Sequence, residues 1–88
     1  MSTKKKQENP PTVDKAKWVD LSKNILKAEL RRKGIGYREL ADKLTAMGTP
    51  ETDRNIANKI SRGGFTAAFF IECLVAIGCH TVRLEDGS

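Results

Sequence analysis

Arg54, Asn55, Asn58 and Arg62 recur at spacings of one, three and four residues just ahead of Gly63-Gly64, with Lys59 among them. An arginine fork fits the edge of guanine, and an asparagine amide pairs bidentately with adenine. Residues of these types also reach phosphate oxygens, which position a protein on a duplex without reading it. These side chains recognise and do not react. They would serve equally as the solvated side of a core helix, so their meaning depends on context. Residues for covalent or metal chemistry are few: Cys73, Cys79 and His80. A zinc site needs further ligands that the sequence does not supply nearby. Adjacency of Cys79 and His80 does not align a nucleophile with a base, and no orienting group accompanies them. No phosphate-binding glycine loop is present. The sequence therefore predicts no enzyme, cofactor or metal. The two cysteines read as reduced thiols of a cytoplasmic protein, with a single disulfide as the other reading.

What must position the polar residues is a short helix over about 52–62. At about 100° per residue, Ile56, Ala57 and Ile60 share its inner side, opposite Arg54, Asn55, Asn58 and Arg62. Gly63-Gly64 is its stop, because glycine adopts left-handed backbone at little cost. Its start is Thr52 as cap before Asp53, or Thr49 as cap before Pro50.

Three further helices surround it. The first runs from about Asp14 to Lys33, with Trp18, Leu21, Ile25 and Ala28 on one line and Val19, Leu26 and Leu30 on the next. Lys23, Lys27 and Arg31 lie opposite, as a solvated stripe or a phosphate contact. The second helix, Tyr37 to Met47, shows an unbroken three-four apolar rhythm through Leu40, Ala41 and Leu44, with a Glu39–Lys43 pair outside. The fourth runs from Thr66 to Ile77. Phe69, Cys73 and Ile77 form one row and Phe70 and Leu74 another, while Ile71 and Val75 fall on a side that solvent should keep polar. That excess predicts a second contact surface, either a homodimer interface or burial under the N-terminal segment. Residues 81–85 alternate as a short strand does. Val82 and Leu84 would then join Ile71 and Val75 in a dimer, the strand pairing with its symmetric copy. An irregular extended end packed on the fourth helix is the alternative.

The chain has 88 residues, 39% of them hydrophobic, enough for one modest core and no membrane span. A core of that size makes oligomerisation a reasonable expectation. The net charge of +5 favours a polyanionic partner. Its distribution is uneven: residues 1–33 carry a net +6 and residues 34–88 a net −1. Residues 1–12 form a disordered basic arm by composition, polar and proline-paired. In it Lys4, Lys5 and Lys6 would touch phosphates or a minor groove, or act only as a solubilising tail.

Tyr37-Arg-Glu-Leu-Ala-Asp-Lys-Leu44 resembles the first motif helix of the lambda-repressor-like, Cro/C1-type regulators. Asn58-Lys-Ile-Ser-Arg-Gly63 resembles the end of their recognition helix, and Leu74-Val-Ala-Ile-Gly78 the end of their fourth helix. The resemblance covers about residues 19–78. It implies an all-α, compact four-helix helix-turn-helix domain over 13–86, with a short C-terminal strand or extended tail and with 87–88 trailing. It also implies a DNA-binding transcriptional regulator that acts as a homodimer, with the helix at about 52–62 in the major groove. Arg54, Asn55, Asn58 and Lys59 would then fall on base- and phosphate-facing positions, with Arg62 near a phosphate. Lys59-Ile-Ser-Arg-Gly-Gly-Phe65 and Ala67-Ala-Phe-Phe70 are closer still to a group of small bacterial proteins known only as a domain of unknown function. The chain departs from the regulators in one respect. Thr45 stands where they usually have glycine, and about six extra residues follow Leu44. This lengthens the first motif helix, the turn, or both, and leaves the angle between the two helices open. The alternative function is a protein-interaction module on the same fold, binding a protein partner through the Ile71/Val75 side.

Overall fold

Apolar residues three and four apart dictate four helices, and the computed structural model, which describes residues 11–87, contains them: α1 Pro11–Lys33, α2 Tyr37–Ala46, α3 Asp53–Arg62 and α4 Ala67–Ala76. The domain is all-α, with no strand among the described residues. No helix among them is long and apolar enough to cross a membrane. α1 starts earlier than the sequence reading, at a proline, which suits a first turn because its missing N–H has no helical partner there. Residues 11 and 12, expected in the arm, thus belong to α1. Lys4, Lys5 and Lys6 lie outside the described residues.

The core joins all four helices. Leu26 and Leu30 of α1 meet Leu40, Ala41 and Leu44 of α2, Ile56 and Ile60 of α3, and Phe69, Cys73 and Leu74 of α4. Fully burying each large aliphatic side chain contributes about 1.5–3 kcal/mol. The periodicity misplaces two residues. Trp18 is 57% exposed, and Met47 is exposed just beyond the end of α2. α1 has 23 residues, about 35 Å at 1.5 Å each, whereas the other helices have 10, about 15 Å. They cannot cover α1 along its length, so its apolar line runs on past the bundle.

The C-terminal segment also departs from expectation. Residues 81–83 form no strand, and Leu84–Gly87 is a 3-10 helix that packs on α1 rather than α4. A lone strand leaves its backbone groups unpaired, whereas a 3-10 turn pairs them locally. Val82 packs against the core and Leu84 is 67% exposed.

Candidate nucleic-acid interface

Thr52, not Thr49, caps α3: its Oγ1 accepts from the Asn55 N–H at 3.1 Å. Asp53 in the first turn and Lys59 and Arg62 in the last complement the helix dipole. Ile56 and Ile60 are buried on the inner side, which rolls Arg54, Asn55, Asn58 and Arg62 outward, all exposed. Arg54, Asn58 and Arg62 are four residues apart, so they form one nearly straight row of about 12 Å.

Gly63 ends the helix with φ 68° and ψ −166°, a backbone region essentially confined to glycine. A Cβ there would also collide with the Val19 side chain of α1. Glycine is thus required twice, for its conformation and for the close passage of α1. Gly64 also has positive φ, but space beside it is open.

Asn55 and Lys59 form a second row with a different use. Lys59 Nζ donates to the Glu51 carboxylate at 2.6 Å, and the nearby Asn55 amide also favours the charged form of that carboxyl. The Lys59 bond, foremost, holds the Glu51 carboxyl below its ordinary range, against the opposing effect of burial. The same ammonium lies 4.7 Å from the centroid of the Phe69 ring, a cation–π contact. Sequence reasoning missed Glu51 because the pair spans eight residues and crosses a turn.

Behind the end of α3, a cleft of about 370 Å³ is lined by Lys59, Arg62, Gly63, Gly64, Phe65, Thr66 and Phe69. Thr66 caps α4 by accepting from the Phe69 N–H at 3.0 Å. Phe65 stacks on Phe70 and tilts against Phe69, with centroids 6.0 and 5.5 Å apart. The cleft thus brings two cations and two aromatic rings together.

The connection from α2, which stops at Ala46, runs over residues 47–52 to α3. Its first half is closed by backbone bonds from Gly48 to Thr45 and Thr49 to Leu44, and the Thr49 hydroxyl donates to the Leu44 carbonyl.

On α4, Ile71 and Val75 stand 57% and 54% exposed, one turn apart. Elsewhere Glu29 is buried at the end of α1, faced at 3.4 Å by the Arg32 fork. Burial, reinforced by Glu29, pushes the Cys79 thiol up, and its S–H donates to the Thr81 carbonyl. Burial pushes the Cys73 thiol up to about 12. Both cysteines are free, and no cluster of three metal-ligating side chains occurs among the described residues.

Comparison with known proteins gives one family: a model described as a domain of unknown function (DUF6471) matches residues 18–82, from Trp18 of α1 to Val82. No curated protein and no solved structure matches the chain.

Proposed function

We propose that this chain, which belongs to the DUF6471 family, is a lambda-repressor-like regulator that binds double-stranded DNA sequence-specifically as a homodimer. The observation that carries this reading is the exposed row Arg54, Asn58 and Arg62 on a helix whose opposite side is sealed into the core. Arg54 and Asn58 read base edges in the major groove, and Arg62 meets a phosphate near the cleft. The net charge of +5 supplies attraction to the polyanion. Arm residues Lys4, Lys5 and Lys6 add phosphate contacts in this reading. Ile71 and Val75 supply the dimer contact in this reading, whereas Leu84, exposed on the C-terminal 3-10 turn, lies against α1 and not on α4. α4 carries no lysine or arginine, so the positive charge of two basic chains is kept away from the contact, and its one charged residue, Glu72, is half-buried. Val82 contributes less, since it packs inward. Sequencing of genomic fragments retained by the purified protein tests the reading. Enriched, two-fold symmetric sites are expected, whereas retention without sequence enrichment would refute specific recognition.

The same apolar pair favours a second reading, a protein-interaction module, because residues 34–88 carry a net charge of only −1. A stoichiometric protein partner and no retained nucleic acid on co-purification would favour it over the first.

A further inference from the structure

The connection from α2 to α3 contains its own fastener. Glu51 sits one residue before the α3 cap, and its side chain is 13% exposed. The 2.6 Å bond from Lys59 returns this part of the connection to the second turn of the helix it precedes. Lys59 in turn lies over Phe69 of α4, 4.7 Å from the ring centroid. One ammonium therefore links the connection, α3 and α4.

Lys59 is thus not free for a duplex. For Lys59 to reach a phosphate it would have to abandon a short charge-assisted bond and leave a largely buried carboxylate unpaired. Glu51 would also repel the incoming phosphate. The row formed by Arg54, Asn58 and Arg62 has no such tie to Glu51, and Arg54 and Asn58 each lie about 100° around the helix from the residue that follows them.

We propose that Glu51 and Lys59 are positioning residues: they lock the connection onto α3 and tie α3 to the Phe69 ring of α4, so that Arg54, Asn58 and Arg62 face the partner. The brace stands on geometry, while its effect on DNA rests on the function proposed above. Lys59 then makes no phosphate contact and releases no counterion.

Two variants test this. Glu51→Gln keeps the shape of the carboxyl but removes its charge. Lys59→Met keeps an apolar stem over Phe69 but removes the ammonium. Amide exchange at Asn55 and Ile56, whose N–H groups bond Thr52, is expected to quicken roughly tenfold in both variants. Unchanged exchange overturns the brace, whether or not the protein binds DNA. With DNA, Lys59→Met should lose affinity for the specific site yet keep the wild-type salt slope and non-specific affinity. A slope reduced by about one, or tighter binding by Glu51→Gln, would show Lys59 to be a phosphate contact and overturn the assignment. If the wild-type protein binds no DNA, the function fails, and exchange alone decides the brace.

Discussion

Lys59 is bound to the Glu51 carboxylate and its neighbour Asn58 is exposed, so adjacent positions on α3 have different uses. The carboxylate ties Lys59 back to the connection and leaves Arg54, Asn58 and Arg62 exposed. This division carries a pH dependence. Because the folded protein holds the Glu51 carboxyl below its ordinary range, the pair's stabilisation is complete above the unfolded value and is lost as pH falls through the lowered one. Thermal unfolding of wild type and Glu51→Gln should therefore differ near neutrality and converge in acid. A difference that persists below the lowered value would assign the effect to something other than this charge. Cysteine chemistry gives a second expectation. Both thiols are raised by burial, Cys73 to about 12, so little thiolate exists near neutrality. Alkylation at pH 8 should be slow in the native protein and fast in urea.

The helices owe their limits to short local signals. Thr52 and Thr66 cap their helices through side-chain oxygens, and replacing either with alanine should cost about 0.5–2 kcal/mol in denaturant unfolding. Gly63→Ala should cost distinctly more than Gly64→Ala, because only the first adds a collision with Val19 to the backbone strain of roughly 1–3 kcal/mol. Equal losses would mean that α1 yields easily at that contact. These caps and stops are legible in sequence because they act within four residues, and the inner rows are legible because burial follows the helical period. Trp18 was not legible: the period continues along α1 whether or not another helix covers it. Nor was the C-terminal turn, since the alternation of residues 81–85 says nothing about whether a partner strand exists. The outward row at 54, 58 and 62 follows from spacing alone. The Glu51–Lys59 pair does not, because it depends on how the connection folds back.

The small domain presents two unlike surfaces, a polar row on α3 and an uncharged apolar pair on α4. If the second joins two copies, Ile71→Lys should convert a dimer to a monomer in sedimentation while leaving the helical circular dichroism intact. An unchanged mass would remove α4 from the interface. Dimeric binding also requires steep salt dependence and paired half-sites, since each copy brings its own phosphate contacts. The decisive comparison is fluorescence anisotropy of an enriched site with wild type and with the Arg54→Ala/Asn58→Ala double variant. Each substitution should weaken specific binding by roughly 1–3 kcal/mol, with non-specific binding far less affected. Equal affinity of the two proteins for the enriched site would contradict recognition by α3.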